Sequence, residues 1–166
     1  LDVARDELFT AIRGEGFYVD GTRRRVTDTE RIERSLVTTG FPFREFSYVD
    51  AYLEAFERFI QAAQGVRRPG VAAMDLAYVA CGRFDGFFEI GLYPWDIAAG
   101  VLLVEEAGGR VTDLGGDPLR LAPFQEEICA SNGGVHARML ELAEPLRGIY
   151  PSGEEAAESG EGRGSG

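Results

Sequence analysis

The sequence predicts an α/β fold, and three observations predict it. Short apolar runs of strand character (Ser35 to Thr39, Arg83 to Ile90, Glu127 to Ala130) alternate with longer segments of helical period. Residues 66 to 109 read without a break as strand, turn, helix, strand and helix, the pattern of layered α/β units. Residues 1 to 20 carry a hairpin pattern, so some strands are antiparallel. The chain has 166 residues, 45% apolar and 27% charged. That length and balance suit one globular domain able to bury a core.

In chain order, Glu7 to Ile12 is a strand, Arg13 to Gly16 a turn, and Phe17 to Val19 the return strand. Residues 22 to 34 are charged, with Arg23, Arg24 and Arg25 in a row. An arginine cluster can hold a phosphate, but a run of this kind reads as a solvated edge or loop. Ser35 to Thr39 is a buried strand leading into the loop Thr39-Gly40-Phe41-Pro42-Phe43. Val49 to Ala63 is an amphipathic helix that presents Tyr52, Ala55, Phe56, Phe59 and Ile60 to a sheet. Val66 to Arg68 is a short strand, Pro69-Gly70 a turn, and Val71 to Cys81 a helix. Asp75 is out of place in the middle of that apolar helix; Arg68 or Arg83 is its expected partner, or the helix edge its place, and no catalytic role is assigned to it. Phe84, Phe87 and Phe88 supply core bulk in the next strand. A helix then opens at Pro94 to Asp96 and stops at Gly108-Gly109. Arg110 to Thr112 and Glu127 to Ala130 are strands, and His136 to Leu146 is the final helix. Residues 1–148 form the folded part, and 149–166 are expected to be a disordered acidic tail.

Three places in this chain can carry chemistry. Asp96 follows Pro94, which suits a helix start because its missing N–H has no partner there anyway. The helix dipole favours a carboxylate in the first turn, so Asp96 is either a helix-start device or a ligand for a cation. Glu89 is a poor β former placed between aromatic residues and a turn. It is either a solvated edge acid or an acceptor for the vicinal hydroxyls of a polyol. The third place is the turn at Gly70: free N–H groups at a helix start suit an anion or polyol oxygens, and Arg67 can add a charge-assisted bond. The bland alternative is a plain turn before a core helix.

The run from Trp95 to Gly109, W-D-x-A-A-G-x-L-L-V-x-x-A-G-G, resembles the C-terminal signature of the inositol monophosphatase family. The preceding E-x-G-x-x-P-W-D, Glu89 to Asp96, resembles the bacterial members, and R-D-E-L-F-T-A-x-R-G-x-G at Arg5 to Gly16 resembles the family's antiparallel hairpin. The resemblance runs, more loosely, from about Leu1 to about Leu146. It implies a layered α-β-α-β-α sugar-phosphatase sandwich, of which this chain supplies the second sheet, its flanking helices and the hairpin end of the first sheet. It also implies Mg²⁺-dependent hydrolysis of a phosphate monoester, with inositol 1-phosphate as the leading substrate. In that reading Asp96 is a catalytic metal ligand that also touches substrate. Glu89 and Arg67 bind the alcohol part, and Gly70, Val71 and Ala72 contact it mainly through backbone. A homodimer is implied as well.

The family's other metal ligands lie in an upstream glutamate and a D-P-x-D-G-T motif, which this sequence does not contain. Asp113 to Pro118 has glycines and acids in another order. The expectation is therefore a chain incomplete at its N-terminus and inactive alone. Fructose-1,6-bisphosphate, histidinol phosphate or a nucleotide 3′-phosphate are alternative substrates, and a non-catalytic interaction module is an alternative role.

A formal net charge of −11 argues against a nucleic-acid partner. No signal peptide or long apolar span is visible, which argues against secretion and membrane insertion and for a cytoplasmic place. The expected partner is a small phosphorylated polyol. Cys81 and Cys129 lack metal or redox spacing. His136, the one histidine, is expected at the surface of a helix start, and no histidine-based zinc site can be built.

Overall fold

The computed structural model describes residues 1–42, 46–119, 121 and 126–149. In chain order it contains β1 (Phe9–Ile12), β2 (Gly16–Val19), β3 (Thr22–Arg24), β4 (Leu36–Thr39), α1 (Val49–Ala62), β5 (Gly65–Arg67) and α2 (Ala72–Ala80). β6 (Gly86–Leu92), α3 (Pro94–Glu106), β7 (Arg110–Thr112), β8 (Glu126–Ser131) and α4 (His136–Leu142) follow, with single 3₁₀ turns at Ile32–Arg34 and Glu144–Leu146. The expected acidic tail, all but Ile149, and Phe43 of the loop after β4 lie outside the described residues.

Two sheets form. β1, β2 and β3 make an antiparallel meander, with Phe9 paired to Val19 and Phe17 to Arg24. The larger sheet has the order β5-β4-β6-β8-β7. β5 and β6 both run parallel to β4, whereas β8 is antiparallel to β6 and to β7. The strands alternate their side chains across this sheet, as the pleat requires. Phe88 packs on one face with Tyr52, Ala55 and Phe59 of α1 and with Met139 and Leu142 of α4. Phe87 packs on the other with Leu76 and Val79 of α2 and Ile97 and Val104 of α3, where Phe17 of the meander joins them. The chain thus stacks four layers: small sheet, α2 and α3, large sheet, α1 and α4. The ring of Phe59 lies flat on Phe88 at 4.1 Å between centroids and 9° between planes. Such a pair adds roughly 0.5–1.5 kcal/mol beyond its burial.

The layered α/β class and most elements match the sequence expectation, though β6 starts at Gly86 and not Arg83 and α4 stops at Leu142 and not Leu146; three differences go beyond element ends. β3 falls in the charged stretch read as a solvated edge or loop, and it is the edge strand. All its residues are exposed at the sheet edge, so no apolar alternation marks it. Ile60, expected on the buried face of α1, is 56% exposed, because the face narrows to Tyr52, Ala55 and Phe59. His136 is buried, not at the surface: its ring lies between Ser131 Oγ and Thr112 Oγ1, each 2.9 Å from a ring nitrogen. Burial lowers its pKa to about 4, so it is neutral. Among the described residues no helix is long and apolar enough to cross a membrane.

Candidate functional site

The loop leaving β4 leads to α1 on one face of the large sheet, while those leaving β5 and β6 lead to α2 and α3 on the other. In open α/β sheets this divergence leaves a crevice at the carboxyl ends of the strands. Here it opens beyond Thr39, Arg67 and Leu92, and the N-termini of α2 and α3 face it. Register fixes what meets there. Thr38 pairs with Arg67 on one side and Phe87 on the other, and Thr39 pairs with Phe88. The next step brings Gly40 beside Glu89.

Asp96 sits in the first turn of α3, where Pro94 starts the helix. Its Oδ2 accepts the Tyr93 N–H at 3.1 Å, and its own N–H donates to the Tyr93 carbonyl at 2.9 Å. The helix-start role anticipated for Asp96 is therefore real, and it uses one carboxylate oxygen. Trp95 beside it is 74% exposed and stacks on Tyr93 at 4.6 Å.

Glu89 is half-buried, and no described residue donates a hydrogen bond to it. Its carboxylate lies directly against Gly40. Burial pushes its pKa up to about 8, the nearby charges of Asp75 and Asp96 push the same way, and Arg68 opposes them.

The turn before α2 contains Gly70 at φ +92°, a left-handed value that favours glycine. The Val71 carbonyl accepts the N–H groups of Met74 and Asp75 at 2.8 and 3.0 Å, so the amides of Val71 and Ala72 precede the helical bonding. Val71 is exposed, and Ala72 begins the helix. Arg67 is exposed, and its Nη1 turns back to the Val66 carbonyl at 3.0 Å. Arg68 is the arginine whose charge reaches Glu89, Asp75 and Tyr52, and its guanidinium lies 5.2 Å from the centroid of the Phe41 ring.

Asp75 belongs to the same cluster. It has no solvent exposure, accepts Thr38 Oγ1 at 2.7 Å through Oδ1, and leaves Oδ2 without a hydrogen bond. Burial raises its pKa to about 6. Arg83, one expected partner, pairs with Glu7 at 2.7 Å instead. The structure therefore brings Glu89, Asp96 and the Gly70 turn to one crevice, places Arg67 at its margin, and adds Asp75, Arg68 and Gly40. Sequence held one sign of Asp75, an acid in the middle of an apolar helix; Gly40 and Arg68 carried none beyond their neighbourhood.

For a metal, Asp96 offers its remaining carboxylate oxygen, a hard donor of the kind Mg²⁺ takes. Among the described residues, no three of His, Cys, Asp and Glu group as metal ligands. These residues offer one candidate donor, not a coordination set.

The family model for the inositol monophosphatase family matches residues 1–147. The chain is 50% identical over 118 residues to the Nus factor SuhB of Pseudomonas aeruginosa, covering 70% of this chain and 44% of that protein. It is 45% identical over 138 residues to the putative Nus factor SuhB of Neisseria meningitidis serogroup B, covering 83% and 52%. The chain thus spans about half the length of the curated relatives it matches. Among solved structures it superposes on the extragenic suppressor protein suhB of Bartonella henselae with a TM-score of 0.78 at 40% identity, covering 84% of this chain and 53% of that one. The inositol monophosphatase of Anabaena gives 0.74 at 39% identity, covering 85% and 56%. The shared layers and the length of the matched sequence lead to one assignment: the chain belongs to the inositol monophosphatase family.

Proposed function

We infer that the full-length protein hydrolyses the phosphate monoester of a small polyol, with inositol 1-phosphate as the leading substrate, and that residues 1–148 are part of its catalytic domain. The observation that supports this most is the convergence on one crevice of Glu89, from the middle of β6, and Asp96, from the first turn of α3. Family membership supports a phosphatase. Mg²⁺ would neutralise charge on the phosphoryl oxygens and activate water, with Asp96 as one of its ligands in the full-length protein. This chain's own residues then serve the alcohol part. The Glu89 carboxyl group accepts hydrogen bonds from the substrate's hydroxyl groups, the amides at Val71 and Ala72 donate to oxygens, and Arg67 adds a cation at the margin. A cytoplasmic homodimer belongs to the same reading.

A second reading, an interaction module that keeps the fold without the chemistry, is favoured by the name of the relatives, Nus factor. That name also brings a macromolecular partner into view, which the charge of −11 alone had argued against for nucleic acid. Phosphate release by the full-length protein, with and without Mg²⁺, separates the readings. Asp96→Asn is expected to lower kcat about 100-fold or more while the protein stays folded. A full-length protein with no Mg²⁺-dependent activity, or an Asp96→Asn variant as active as the parent, leaves the interaction module standing.

A further inference from the structure

Gly40 is buried at the end of β4, yet its backbone does not need glycine: its φ lies outside the left-handed region. The need is for space. A Cβ built on Gly40 would overlap the carboxyl carbon of Glu89 and both of its oxygens. Strand alternation makes this contact inevitable. Thr38 faces α2 and Thr39 faces Tyr52 of α1, so residue 40 faces the α2 side again, the side to which Glu89 also points. The carboxylate therefore rests on bare backbone.

Asp75 lies on the same α2 side of the sheet, and its charge acts on Glu89. Thr38 anchors Asp75 at 2.7 Å, and the second oxygen of Asp75 is buried and unpaired. Among the charged groups acting on Glu89, Asp75 has the largest effect. A side chain at position 40 would remove the seat of the Glu89 carboxyl group. Arg68, stacked over Phe41, supplies attraction toward the crevice.

We propose that Gly40 is a positioning residue that sets alcohol specificity: it fixes the place from which the Glu89 carboxylate meets the hydroxyl groups of the substrate. This rests on the polyol-phosphatase reading above. A side chain at position 40 displaces the carboxylate from those hydroxyls while leaving Asp96 and the Gly70 turn where they are.

The test is a double-mutant cycle in the full-length protein, using inositol 1-phosphate and, as an ester without alcohol hydroxyls, phenyl phosphate. Gly40→Ala is expected to raise KM for inositol 1-phosphate about tenfold and to lower the preference for it over phenyl phosphate by a similar factor. In a Glu89→Ala background the same substitution is expected to add nothing further. Equal effects in both backgrounds, equal effects on both substrates, or no effect of Gly40→Ala would overturn the proposal. Should Gly40→Ala alone fold poorly, the double variant, free of the overlap, is expected to fold better; an equally unstable double variant overturns it. A Glu89→Ala variant with unchanged KM for inositol 1-phosphate fails differently: it refutes the assignment of Glu89 to the polyol, and the proposal falls with it.

Discussion

Thr38 Oγ1 donates to Asp75 Oδ1 at 2.7 Å, in a place where neither residue meets solvent. The bond ties β4 to α2 directly beneath the crevice and satisfies one oxygen of an acid whose other oxygen has no partner. Thr38→Val keeps the shape and removes the donor to Asp75 Oδ1. It is expected to destabilise the fold by about 1–3 kcal/mol at pH 7, read from the midpoint of urea unfolding. An unchanged midpoint would mean that the two side chains are not bonded in solution.

Stability should fall as pH rises through neutrality, opposite to the usual effect of a paired carboxylate. Glu89 titrates near 8 in the folded chain, against an ordinary value of 4.5. The unfolded chain therefore releases this proton first, and the folded state loses stability progressively between about pH 4.5 and 8. Asp75, raised to about 6, acts in the same direction over a lower range. Glu89→Gln is expected to differ little from the parent at pH 5 and to be more stable by on the order of 2 kcal/mol at pH 8 to 9. Thermal unfolding of both proteins across that range checks it. A variant less stable than the parent at pH 8 would contradict the burial of this charge.

His136 imposes a separate acid limit. Its folded pKa is near 4 and its ordinary value is 6.5, so the unfolded chain takes up the proton first as pH falls. Stability is lost from about pH 6.5 downward and levels off near pH 4. His136→Gln is expected to be less stable than the parent at pH 7, because the hydrogen bonds to Ser131 and Thr112 are disturbed, and to show a flatter profile between pH 4 and 6.5. Denaturant midpoints at several pH values give the comparison, and parallel profiles would place the titration elsewhere.

Much of the fold was legible because burial has a period. The apolar face of α1 and the aromatic bulk at Phe87 and Phe88 announced themselves, and Pro94 with Asp96 marked the start of α3. β3 did not, since an edge strand exposed at every position, Thr22 to Arg24, has no face to alternate. His136, at the start of α4, looked like a surface residue because its partners, Thr112 and Ser131, are hydroxyl residues on β7 and β8. The site divides along the same line. Glu89 and Asp96 share one short motif and could be read together. The contact between Gly40 and Glu89 exists only through the pairing of β4 with β6, and Arg67 and Arg68 differ because β5 ends between them.

Glu106 closes the helix that Asp96 opens. Its two carboxylate oxygens accept the N–H groups of Gly14 and Gly16, each at 2.8 Å, in the turn between β1 and β2. α3 is 13 residues long, which makes it a strut of about 20 Å. One end is clamped to the tip of the hairpin, and the other presents the crevice carboxylate. The hairpin tip and the crevice are thus joined by one rigid element, and the seating of α3 on the small sheet helps to set where Asp96 stands.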